Sequence, residues 1–166
     1  MLQKEGRRPD RSKDTYVNFT RGTVVVTTPE GKATYSEISG YIQIILLTNR
    51  NFNGRAQKYW YIFLKDGSER YKIGFYYEDS SFKGVIMALK DKGIKGTDRI
   101  TFKPYLSGNF TNIDIYVNDS PAALRWSGTM PDIEEVIVGG KKYPDTTKRM
   151  RFIEAEANKI VEGLKA

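Results

Sequence analysis

The sequence predicts a mainly β fold with helices added: a small barrel of five strands, an extra hairpin on its amino-terminal side and a helix on its carboxy-terminal side. Three observations predict it. Runs of β-branched and aromatic residues are short and divided by turn residues, with no repeated alternation of strand and long helix. A helical period, Phe82, Val85, Ile86 and Leu89 at i, i+3, i+4 and i+7, falls between the third and fourth of five consecutive runs. With 166 residues, 39% of them hydrophobic, the chain suits one core with appendages.

Residues 1–14 set Lys4, Arg7, Arg8, Arg11 and Lys13 against Glu5, Asp10 and Asp14 without an apolar period, which predicts a disordered basic arm. Residues 15–38 form the hairpin extension: runs 16–20 and 23–28 are divided by Arg21-Gly22, and Glu30-Gly31 marks a second turn. The barrel occupies 39–118. Its first strand is 39–48, followed by an Asn- and Gly-rich loop; 55–65 and 69–77 follow as a hairpin through Asp66-Gly67. Ser80 or Ser81 can cap the helix and Gly93 can end it. Two further strands, 99–105 and 110–118, meet at Ser107-Gly108-Asn109. Strand, strand, strand, helix, strand, strand is the order of the OB fold, a five-stranded Greek-key barrel.

Residues 119–166 read as a connector, a short hairpin around Gly139-Gly140 and an amphipathic helix opened by Pro144-Asp145. Met150, Ile153, Ala157, Ile160 and Leu164 make one narrow apolar stripe. It either docks back on the barrel, the favoured outcome, or joins a second copy in a homodimer.

Composition narrows the function. The chain has no cysteine and no histidine, which removes disulfides, thiolate nucleophiles, Ser-His-Asp triads and the usual zinc ligands. Gly139-Gly140-Lys141-Lys142 lacks the spacing of a phosphate loop. Asp132 with Glu134 and Glu135, or Asp114 with Asp119, are acidic groups of the kind that usually lie on a surface, without a supporting constellation for Mg²⁺. The expectation is a non-enzyme without metal or cofactor. No 18-residue apolar span occurs, so a cytoplasmic protein without membrane association is expected. Lys and Arg total 27 against 20 acidic residues, a net charge of +7 that attracts polyanions.

The binding surface follows from strand alternation. In 55–65, Trp60, Ile62 and Leu64 share one face and Tyr59, Tyr61 and Phe63 the other; in 69–77, Ile73 and Phe75 face inward while Arg70, Lys72 and Tyr76 share the opposite face with Gly74. Rings beside cations are what unpaired nucleotides need, because bases stack on rings and phosphates pair with cations. The adjoining loops add Arg50, Phe52 and Arg55 on one side and Asn109 with Phe110 on the other. Single-stranded DNA is the expected ligand, with RNA or a protein surface as alternatives.

Lys58-Tyr59-Trp60-Tyr61-Ile62, the turn at Asp66-Gly67, the strand from Tyr71 to Tyr77 and the helix start Ser81-Phe82-Lys83-Gly84 resemble OB-fold single-stranded DNA-binding proteins of bacteriophages and bacteria. The resemblance covers roughly residues 39–118. It implies coating of exposed strands in replication, recombination or repair, with contacts from Tyr59, Tyr61 and Lys72, and partners among replication or recombination proteins. Many such proteins end in an acidic tail. This sequence closes with Lys159-Ile160-Val161-Glu162-Gly163-Leu164-Lys165-Ala166, a departure that puts recruitment through the terminus in doubt and leaves a protein contact by the final helix open.

Overall fold

The computed structural model describes residues 14–122 and 130–165, and of Phe52 the backbone alone. The basic arm predicted for 1–14 therefore lies outside the described residues except for Asp14, which begins a strand. Three strands come first, β1 (Asp14–Thr20), β2 (Thr23–Thr28) and β3 (Gly31–Tyr35). The central hairpins follow: β4 (Ile38–Phe52), β5 (Arg55–Asp66) and β6 (Glu69–Tyr76). Helix α1 (Ser80–Lys92) leads to β7 (Arg99–Ser107), β8 (Phe110–Val117) and β9 (Ser120–Ala122). A separate ribbon, β10 (Glu134–Val138) with β11 (Lys141–Asp145), precedes α2 (Thr147–Leu164).

Nine strands form one sheet in the order β3-β2-β1-β6-β5-β4-β7-β8-β9. The five strands expected of the barrel occupy consecutive places in it, β6-β5-β4-β7-β8, and closing them would require β6 to meet β8. It does not: β1 runs parallel to β6, with Asp14 beside Arg70 and Val17 beside Ile73, and β9 pairs with β8. The closed five-stranded barrel is thus corrected to an open sheet, and the amino-terminal hairpin is part of that sheet rather than an extension before it. The hairpin spans the gap. Gly22 N–H donates to Thr111 Oγ1 at 3.1 Å, and Phe19 packs 6.1 Å from Phe102. A Cβ on Gly22, whose φ is +74°, would lie 2.8 Å from the Leu106 backbone nitrogen, so this approach needs glycine.

The core lies between the inner face of the sheet and α1. Phe82, Val85, Ile86 and Leu89 are all fully buried, as the period predicts. Trp60 stacks on Phe82 at 4.6 Å and donates Nε1–H to the Tyr77 carbonyl. The cap of α1 is Asp79, which accepts from Ser81 N–H at 2.9 Å, in place of Ser80 or Ser81; Gly93 ends the helix in the left-handed conformation, as expected. Lys83 is buried, and burial lowers its pKa.

Helix α2 docks within the chain. Met150, Ile153, Ala157 and Ile160 are buried and Leu164 is partly buried against the core, so the stripe packs within the chain. Tyr77 donates its hydroxyl to the Glu154 carboxylate, and buried Glu156 meets Lys90 at 3.6 Å and Lys159 at 3.3 Å. Pro144-Asp145 ends β11 instead of opening the helix, yet Asp145 Oδ1 accepts from Thr147 N–H at 3.0 Å and orients the first turn. Among the described residues no helix is long and apolar enough to cross a membrane.

Candidate nucleic-acid interface on the outer sheet face

The pairing of β5 with β6 sets which side chains meet. Asp66 pairs with Glu69, so the two-residue turn is Gly67-Ser68, one position later than the sequence suggests. The parity of the pairing is unchanged, and so is every residue's face. Tyr59 lies opposite Tyr76, Tyr61 opposite Gly74, and Phe63 opposite Lys72. On the other flank of β5, Thr48, Leu46 and Ile44 oppose Tyr59, Tyr61 and Phe63. A bulge between Ile42 and Ile44 keeps Ile42 inside, opposite Leu64, while Ile44 turns outward.

Seven of the expected residues converge here: Arg50, Tyr59, Tyr61, Phe63, Arg70, Lys72 and Tyr76. Their exposure differs from the expectation. Tyr59 and Tyr61 retain only 7% and 5% of their surface, whereas Tyr76 is 61% exposed. The rings bury one another and are roofed by cations. Tyr59 packs 5.2 Å from Tyr61 and edge-on to Tyr76 at 5.4 Å. The Arg50 guanidinium lies 4.8 Å over Tyr59, and the Lys72 ammonium 4.3 Å over Tyr61. Contacts of this kind contribute about 0.5–1 kcal/mol when exposed and about 2 when desolvated. Arg70 stands 5.7 Å over Phe63 and pairs with Asp14 at 3.1 Å.

Tyr16 completes the cluster and escapes sequence reasoning, and Gly74, placed on this face by alternation, takes a role that alternation does not reveal. Tyr16 of β1 crosses towards β5, where its hydroxyl takes a 2.6 Å hydrogen bond from Arg50 Nη1 and lies 3.1 Å from the Tyr61 hydroxyl. Gly74 supplies the floor. A Cβ there would sit 2.7 Å from Tyr59 Cε2 and 3.2 Å from the Tyr16 hydroxyl, so only glycine lets both phenols lie flat across β6. Alternation in 15–20 puts Tyr16 and Asn18 on one face, but no local signal says that this strand joins β6. Burial pushes the phenols of Tyr16, Tyr59 and Tyr61 above their ordinary value of 10.0, and the hydroxyl contact with Tyr16 adds to the rise at Tyr61.

Arg55 and the loop at Asn109 and Phe110 do not join the cluster. Arg55 is exposed at the tip of the β4–β5 hairpin, paired in register with Phe52, whose side chain lies outside the described set. Asn109 and Phe110 line a separate cleft of about 540 Å³ with Phe19, Ser80 and Ser81, beside the α1 N-terminus. Because Phe19 and the start of α1 belong to the inner side, this loop does not extend the outer face.

No known protein family, curated protein or solved structure matches this chain. Rings whose faces are held by movable cations offer two kinds of contact: ammonium and guanidinium groups for anionic oxygens, and π-faces for planar groups once the cations shift.

Proposed function

We propose that the chain binds single-stranded DNA without catalysis and largely without regard to base sequence, through the outer face of β4, β5, β6 and β1. The observation that carries the reading is the seating of Arg50 and Lys72 on the rings of Tyr59 and Tyr61. Phosphates drawn to Arg50, Lys72 and Arg70 pull long side chains off the tyrosines, and the vacated ring faces take the bases. Tyr76, already open, provides the first stacking platform. Every base has a π-face, so the device needs no sequence code. Cellular roles in replication, recombination or repair, in a phage or bacterial cytoplasm, belong to the same proposal, as do replication or recombination partners.

The test is a titration of fluorescently labelled oligothymidine read by anisotropy, at several salt concentrations. Three cations, each releasing counterions from one phosphate, give a log–log salt slope of about −2, since single strands contribute about −0.7 per phosphate. R50A and K72A each flatten that slope by about 0.7. No binding at low salt overturns the reading. Competition between matched ribo- and deoxyribo-oligomers separates DNA from RNA, because the 2′-hydroxyl is the distinguishing group.

A protein-binding role is the second reading, and a specific observation favours it: Ile44 and Leu46, 40% and 41% exposed, extend the ring cluster across β4 with an apolar strip. Failure of oligothymidine to bind, together with protection of Ile44 and Leu46 by a protein ligand, favours that reading.

A further inference from the structure

The carboxy-terminal ribbon stands apart from the main sheet. Among the described residues β10 and β11 pair only with each other, and Ile137 and Val138 are 70% and 62% exposed. A two-stranded ribbon alone in water is marginal, so this one gains most from a further strand.

Its two edges are not equivalent. Gly139 and Gly140, both with positive φ, form a two-residue turn that makes Val138 and Lys141 a hydrogen-bonded pair. Pairs alternate from there. Val136 with Tyr143 and Glu134 with Asp145 turn their amide groups inward, while Glu135, Ile137, Lys142 and Pro144 turn theirs outward. On β11 one of the two outward positions is proline, which has no N–H to give. On β10 both outward residues carry a donor and an acceptor. The receptive edge is β10.

We propose that two copies of the chain join by antiparallel pairing of β10 with β10 about a two-fold axis at Val136. Glu135 then exchanges backbone hydrogen bonds with the second copy's Ile137, and the ribbon becomes a four-stranded sheet ordered β11-β10-β10-β11. Charge argues for this occupant and register. The start of β10 is acidic, Glu134-Glu135, and the start of β11 is basic, Lys141-Lys142. The two-fold places Glu135 in one row with the second copy's Ile137 and Lys142, and Glu134 in one row with its Val138 and Lys141. Val136 and Tyr143 of both copies fill the middle row. Parallel pairing would instead set Glu134 against Glu134 and Glu135 against Glu135. Lys148 already holds Glu134 at 2.6 Å, so Glu135 carries the diagnostic charge.

Two short strands bury little area, which puts the association in the weak class, with a dissociation constant on the order of 10–100 µM. Sedimentation equilibrium of the full chain up to about 1 mM reads it directly. The wild type forms dimers. E135K weakens them about twofold at low salt, because it faces the second copy's Lys142 about 10 Å away across Ile137, and E135K/K142E restores them. I137P, which deletes an outward donor while leaving the inward ladder intact, abolishes them without changing the thermal transition of the main sheet. A chain that stays monomeric at 1 mM overturns the proposal. So does a dimer indifferent to E135K and I137P, and a double swap that fails to restore association overturns the register. Oligothymidine binding reads a different face and serves as an independent measurement.

Discussion

The two faces of the β5–β6 hairpin exclude water from aromatic rings by different means. On the inner face Trp60 and Phe75 are covered by another element, with Phe82 of α1 stacked on the indole. On the outer face Tyr59 and Tyr61 are buried almost as deeply, yet their cover is two long cationic side chains and a neighbouring phenol from the same sheet. The inner arrangement opens only if the fold opens. The outer one rests on the positions of two long side chains, Arg50 and Lys72, beside the neighbouring phenols. Burial therefore measures how much water is excluded and not how firmly, and under the proposed function the rings beneath Arg50 and Lys72 are the ones a ligand reaches.

The largest expected effect tests the inner face. W60A removes a stacked indole and its hydrogen bond and costs about 3–5 kcal/mol in chemical denaturation. Y59A or Y61A costs less, about 2 kcal/mol, because the lost ring is covered by polar groups that rehydrate. If the tyrosine variants lose as much as W60A, the distinction between the faces collapses. G74A sharpens it further. The added methyl would meet the Tyr59 ring and should cost about 1–2 kcal/mol while raising the accessibility of Tyr59 to a small-molecule quencher. Next comes R50A or K72A, which should change stability by about 1 kcal/mol or less, yet weaken oligothymidine binding and flatten its salt dependence. The smallest effect is alkaline. Folding raises the phenol pKa values of Tyr16, Tyr59 and Tyr61, so the protonated form is favoured in the folded state. That stability is whole below the unfolded value of about 10 and drains as pH rises through the higher folded values. Phenolate absorbance should show Tyr16, Tyr59 and Tyr61 titrating above the ordinary value, with Tyr71 and, furthest, Tyr77 raised as well.

Much of the fold was legible because its signals are local. The period of Phe82, Val85, Ile86 and Leu89 gave the buried face of α1, glycines marked the turns, and alternation assigned the faces of β5 and β6 correctly although the turn lies one residue later than expected. The parallel pairing of β1 with β6 was not legible, because nothing near Tyr16 in sequence refers to Lys72 beside it in space. That one pairing explains the failure of the closed barrel and the omission of Tyr16 from the site. The exposure of Tyr59 and Tyr61 was hidden for a related reason. Alternation says which side a ring leaves the strand, whereas its cover depends on how Arg50 and Tyr16, three strands apart in the sheet, lean across a bent surface.

The parallel union of β1 and β6 also has a consequence for how the chain is made. At a synthesis rate of about 5–20 residues per second, β1 leaves the ribosome several seconds before β6 exists to receive it. During that wait Val17, Phe19, Val24 and Val26 have no sheet to complete, and the amino-terminal hairpin must keep its apolar side until its neighbour arrives.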